Sequence, residues 1–229
     1  MYKVNSIYLI FLFFFFSCSN QEVNTDSAVE VKSATYKVAS IFPTSLPLLG
    51  ENSRKFVENV NRASDGKLNL KLFEPGALVP GLESIPAVSK GSLEMTWAAA
   101  GFFSGNDSAF SFFTAVPFGP DPGEYMAWMY YGDGMKLMNE MFSKYNIHAV
   151  PCGIQPPEAS GWFRKEIKSV EDFDGLKMRF FGLGAKVMEK LGVATQLLAP
   201  GEIFQSLQLG TIDSAEFANP SVDIKNGFY

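Results

Sequence analysis

Three charged residues in the C-terminal half have the types and surroundings of a binding site. Arg179 lies toward the end of the stretch LKMRFF, which is followed by a glycine turn and a helix-forming segment. An arginine at such a strand end can hold a carboxylate through two parallel hydrogen bonds, or simply form a surface ion pair. Glu216 lies in TIDSAEF, which reads as a buried strand, where a carboxylate needs a partner. Glu158 sits in QPPEASGWF, a proline-rich approach to a further strand. Two carboxylates near one arginine can neutralise it or bind a hard cation. Trp97, Trp162, Phe180, Phe181 and Phe217 can wall an apolar pocket, although each serves equally well as core. Asn219 adds an adaptable amide.

A catalytic set does not emerge. The one histidine, His148, falls in IHAVPC, which reads as a strand, and is expected to be a core or rim side chain. His/Cys metal spacing, a G-x-S-x-G elbow and a Walker loop are all missing. GLG at 182–184 opens a helix without the rest of a dinucleotide fingerprint, so it reads as a turn. Cys152 is expected to be a small buried hydrophobe. A net charge of −5 gives no reason to expect nucleic acid or an anionic membrane surface as the partner.

The elements that must position these residues alternate between strand and helix. YKVASIF reads as a first strand, residues 48–63 as a helix with Leu49, Phe56, Val57 and Val60 on one face, and LNLKLF as a half-buried strand. A short helix near 84–90, the strand SLEMTWAAA and an aromatic, irregular segment at 102–118 follow. A helix over 124–144 is expected next, with the stripe Trp128, Tyr131, Met135, Met138 and Phe142, weakened by Gly132 and Gly134. Ser169 with Asp172 has capping-box spacing, and Gly175 can end that short helix. LKMRFF, a helix at 185–191, a strand near 193–197, the helix in APGEIFQSLQLG and the strand TIDSAEF complete the series. Such alternation implies an α/β protein with a largely parallel sheet, in which ligands sit at the carboxyl ends of strands. KGSLEMTW and LGTIDSAE echo one another and set Trp97 opposite Glu216.

The N-terminus carries an apolar run, Ile7–Phe16, behind Lys3. Ten helical residues reach only ~15 Å, about half a bilayer core, so residues 1–17 read as a signal peptide. FFSC resembles a lipobox, with Cys18 as the lipidated residue; plain cleavage and an uncleaved anchor are the alternatives. The polar, aromatic-free residues 18–34 suit a tether behind such an anchor. The layout after the last strand looks unfinished, so the chain is expected to be a fragment of a longer protein.

At GWFRKEIKSVEDFDGLKMRFFGLGAKVMEKLG and PGEIFQSLQLGTIDSAEFANPSVDIKNGFY the chain resembles the solute-binding proteins of tripartite ATP-independent periplasmic (TRAP) transporters. AVSKGSLEMTW and AVPFGPDPGEYMAW extend the resemblance from about Tyr36 to the end. It is most similar to the branch that binds 2-oxoacids and related monocarboxylates with a metal ion. The resemblance implies a two-lobed, type II-like periplasmic binding protein fold that closes on its ligand about a hinge. Residues 35–130 with 214–229 would form one lobe and 131–213 the other. It implies that Arg179 salt-bridges the ligand carboxylate, and that Glu216 and the backbone carbonyl of Phe217 coordinate Na⁺ or Ca²⁺. Glu158, Asn219, Trp97 and Phe181 would complete the ligand site. The branch carries a glutamine four residues before the tryptophan of GWF, as a third metal ligand; here that position is Glu158. Two carboxylates would favour Ca²⁺ over Na⁺, or replace the metal by a cationic ligand group. ANPS around Asn219 also departs from the more usual Gly-Pro-Tyr. The implied activity is capture of a small organic acid outside the cytoplasm and delivery to a membrane permease pair driven by an ion gradient. No organic cofactor is implied. The alternatives are an α/β enzyme with Glu158 and Glu216 as acid and base, and the sensor domain of a receptor.

Overall fold

The computed structural model describes residues 32–228, so Cys18, the apolar run and most of the expected tether lie outside the described residues. Strand β1 (Ala34–Ser40) is the centre of a first sheet. Helix α1 (Leu49–Ala63) leads from it to β2 (Leu68–Phe73), which pairs parallel with β1. Helix α2 (Ser84–Ser89) leads to β3 (Met95–Trp97), parallel on the other side, giving the order β2-β1-β3. The expected stripe on α1 is the one used: Val57 is buried with Val38 and Leu70, and Phe56 and Val60 pack against them.

The expected helix over 124–144 is two helices, α3 (Pro122–Tyr131) and α4 (Gly134–Ser143). Asp133 between them adopts a left-handed conformation (φ 62°), which ends the first helical path and starts a second. The break removes Tyr131 from the apolar stripe and leaves it 93% exposed, whereas Met138 and Phe142 stay buried with Phe103 and Phe110. Asp121 and Glu124 form a reciprocal capping box at the start of α3, with proline at the first helical position.

IHAVPC forms no strand. Residues 147–160 run irregularly over the surface, with His148 and Cys152 exposed. Cys152 is therefore not the buried hydrophobe expected from its apolar neighbours; Pro151, Pro156 and Pro157 each lack the N–H that a strand ladder needs.

The second sheet comprises β4 (Trp162–Phe163), β5 (Lys177–Arg179), β6 (Ala194–Gln196) and β7 (Ser214–Ala215), in the order β4-β7-β5-β6. β5 pairs parallel with β6 and β7, and β4 runs antiparallel to β7. Ser214 and Ala215 thus belong to the second sheet, whereas the sequence layout groups 214–229 with the first lobe. Helix α5 (Gly182–Glu189) links β5 to β6; α6 (Ile203–Leu209) links β6 to β7; α7 (Pro220–Lys225) follows β7. The capping box of Ser169 and Asp172 forms, but on a short 3-10 turn, Val170–Phe173, and Gly175 follows it with φ 77°. The fold is α/β with mostly parallel sheets. The two sheets share a core in which Ile41 and Phe42, just past β1, are buried with Ile212, Ala215, Phe217 and Val222.

Candidate ligand-binding site

Arg179 is the last residue of β5, a strand flanked on both sides by neighbours and buried on both faces from Met178 onward. Its guanidinium is therefore carried into the interior, where the side chain is 1% exposed. The parallel ladder to β7 continues one step further, with the backbone N–H of Glu216 donating to the Arg179 carbonyl at 3.1 Å. That register places the Glu216 carboxylate beside the guanidinium. Nη1 of Arg179 donates to Oε2 of Glu216 at 3.0 Å and to the Glu216 backbone carbonyl. Oε2 also accepts the backbone N–H of Phe181 at 3.1 Å. Burial pulls the arginine pKa down, opposed by the negative charges of Glu216, Glu158 and Asp223.

Aromatic rings flank this pair. The Arg179 Cζ lies 5.8 Å from the Phe181 ring centroid and 5.5 Å from that of Phe217, within cation–π range. Phe181 in turn meets Phe102 at 4.6 Å. A guanidinium held between two rings with water excluded is a strong electrostatic anchor for a carboxylate, since screening is weak there.

Glu158 lies beside the pair. The residue as a whole is exposed, but its carboxyl end sits against Glu216 and accepts from Gln155 Nε2 at 2.5 Å. Desolvation of that end, then its hydrogen bond to Glu216 and repulsion from the same group, push its pKa up to about 9. Gln155 is a neighbour of the pair that sequence reasoning missed. Its Oε1 is buried without a protein partner beside Glu158. The signal was available: an amide-bearing residue three positions before Glu158 in the same proline-rich run.

Asn219 is placed differently from the expectation. Its Oδ1 caps α7, accepting from the backbone N–H groups of Ser221 (3.2 Å) and Val222 (3.3 Å) and from Ser221 Oγ (2.6 Å). Only its Nδ2 is left, buried and without a partner. Trp97 turns its indole N–H to the Leu49 carbonyl at 3.0 Å and packs its ring on Phe56 at 5.6 Å, so its polar end serves α1. Sequence reasoning also missed Asp223. It is 1% exposed, and its Oδ2 accepts the Trp162 indole N–H at 2.8 Å and the Ala218 N–H at 3.4 Å, tying β4 to α7 behind the arginine. Burial raises the Asp223 pKa, and Oδ1 has no partner. A small cavity of about 170 Å³ is lined by Phe217 together with Pro43, Leu46, Phe204 and Phe228, among others. None of the charged site residues lines it.

A profile described as bacterial extracellular solute-binding protein, family 7 (DctP), matches residues 39–229. The chain belongs to this family. A curated relative, a monocarboxylate 2-oxoacid-binding periplasmic protein from a Nostoc species, is 36% identical over 213 residues. That alignment takes in 92% of this chain and 57% of the relative, so the chain spans little more than half of its length. Among solved DctP-like structures, a TRAP transporter solute-binding protein from Bordetella bronchiseptica, with calcium and picolinate bound in one active site, is 36% identical with a TM-score of 0.83. The match covers 86% of this chain and 59% of that one. One from Pseudoalteromonas atlantica, with bound sodium and pyruvate, is also 36% identical, with a TM-score of 0.80 over 86% of this chain and 60% of that one. Two more distant neighbours are each 25% identical over 85% of this chain. The Pseudomonas putida protein with bound D-glucuronate gives a TM-score of 0.71 over 63% of its own length. The open, ligand-free Rhodobacter sphaeroides protein gives 0.53 over 62%.

The residues present fit a hard cation. Among the described residues no group of three or more His, Cys, Asp or Glu side chains gathers, so an acidic cage is not available. Glu216, Glu158 and the unpartnered Oε1 of Gln155 nonetheless offer oxygen donors of the kind Ca²⁺ and Na⁺ take.

Proposed function

We propose that this protein is the extracytoplasmic solute-binding component of a TRAP transporter, capturing a small organic acid together with a cation. The observation that carries the reading is the buried Arg179–Glu216 pair between the Phe181 and Phe217 rings. Buried ion pairs are weak stabilisers, because desolvating two charges offsets most of their attraction. A partner that arrives from solution can take up such a pair. A ligand carboxylate can occupy the guanidinium, leaving Glu216 with Glu158 and Gln155 to face a cation. The cation would supply positive charge to hold a second oxygen of the acid. The aromatic rings exclude water, and the Asn219 Nδ2 is a free donor for a ligand oxygen.

A 2-oxo monocarboxylate such as pyruvate is the first ligand to test, by analogy with the relatives. Having Glu158 where the branch carries glutamine adds a second carboxylate and favours a divalent ion. The protein would work outside the cytoplasm, held to the membrane through a lipid on Cys18, and hand its acid to membrane permease subunits. Calorimetric titration of the protein with pyruvate, with Ca²⁺ present or with EDTA and no Na⁺, tests the reading. Binding that depends on a cation supports it; affinity indifferent to both cations refutes the cation role, and absence of binding by any small carboxylate refutes the whole.

A further inference from the structure

Beyond the shared core, the first sheet meets the Arg179 site at a close contact just past β3. After β3 the chain makes a 3-10 turn, Ala100–Phe103, in which Gly101 is buried. The end of the Phe181 ring lies over this glycine. A Cβ on Gly101 would sit 2.5 Å from Phe181 Cζ, 2.9 Å from Cε1 and 2.6 Å from Thr114 Cγ2, distances no real side chain tolerates. Phe102 closes the side of the slot, with ring centroids 4.6 Å apart. Phe181 thus spans two structures: its ring tip lies in the first sheet's turn, while its backbone N–H holds Glu216 and its ring face flanks Arg179.

We infer that Gly101 is a positioning residue: its missing side chain forms the slot that seats Phe181, and the seated ring holds Arg179 and Glu216 in the ligand-gripping arrangement. The inference rests on the binding reading above and adds to it the element that links the two sheets across the site. A methyl group at 101 would have to push the ring out, and the ring takes its contact with the Arg179 guanidinium with it.

The experiment is a double-mutant cycle on Gly101→Ala and Phe181→Ala, read both by calorimetric titration with pyruvate in Ca²⁺ and by urea unfolding without ligand. Gly101→Ala alone should weaken pyruvate binding about tenfold, the scale that overpacking produces, through faster release. In the Phe181→Ala background the same methyl should cost clearly less, because the ring it displaces is gone and only Thr114 Cγ2 still opposes it. Repeating the cycle with Thr114→Ser removes the second neighbour and should leave the coupling intact. Equal losses in both backgrounds, or an unchanged affinity in Gly101→Ala, overturn the inference. If the unsubstituted protein ignores pyruvate, the binding reading falls on its own. The unfolding cycle then decides the seat: coupling between 101 and 181 supports it and additivity overturns it.

Discussion

Replacing Arg179 by methionine tests the electrostatics of the site most directly. Methionine has similar reach and no charge, so packing is largely kept. The partner left behind is a carboxylate on a residue 3% exposed, held among the described residues only by the Phe181 N–H at 3.1 Å and by the neighbouring Glu158 carboxyl. Removing one member of a buried pair costs about 3–5 kcal/mol, because the other charge stays desolvated. Pairing the change with Glu216→Gln removes that charge while keeping an acceptor for Phe181 N–H. The double variant should therefore lose much less than the single one, about 1 kcal/mol or so. Urea unfolding at 25 °C of the four proteins gives the cycle. Both Arg179→Met variants should also fail to bind pyruvate. A loss below about 1 kcal/mol for Arg179→Met alone, or strict additivity with Glu216→Gln, would show that the guanidinium is not the buried counterion described here.

Two further outcomes follow from the same site. The Glu158 pKa of about 9 means that its carboxyl holds a proton at neutral pH, and a cation must displace it. Ca²⁺ binding should therefore release a proton and strengthen as pH rises from 6 toward 9, while Glu158→Gln should flatten that dependence; proton release measured by titration in buffers of differing ionisation enthalpy decides it. Asp223→Ala should cost roughly 1–3 kcal/mol by leaving the Trp162 indole N–H unpaired, with a shift in tryptophan fluorescence, whereas Asp223→Asn should retain most of both.

Much of the fold was legible because its signals are local. The α1 stripe, the capping box at Ser169 and Asp172, and the strand LKMRFF depend on neighbours a few residues apart. The expectations that failed needed information from further away or from a single dihedral. One continuous helix over 124–144 satisfied the periodicity, and only the left-handed Asp133 divides it. Trp97, whose strand echoes that of Glu216, lies in the other sheet: its indole N–H donates to the Leu49 carbonyl, while its ring packs against the cluster that holds Phe217.

For the site itself, the sequence alone determined the chemistry: which residues carry charge, and that Glu216 had to be partnered in an apolar strand. Tertiary structure decided the pairing. Arg179 and Glu216 are 37 residues apart, and only the parallel register of β5 on β7 brings them to 3.0 Å. It likewise turned Asn219 into a helix cap, drew Gln155 in beside Glu158, and seated Phe181 on a glycine from the other sheet. The reason is that residue type is a property of the chain, whereas the distance between two side chains is set by strand order and register, which no short stretch of sequence contains.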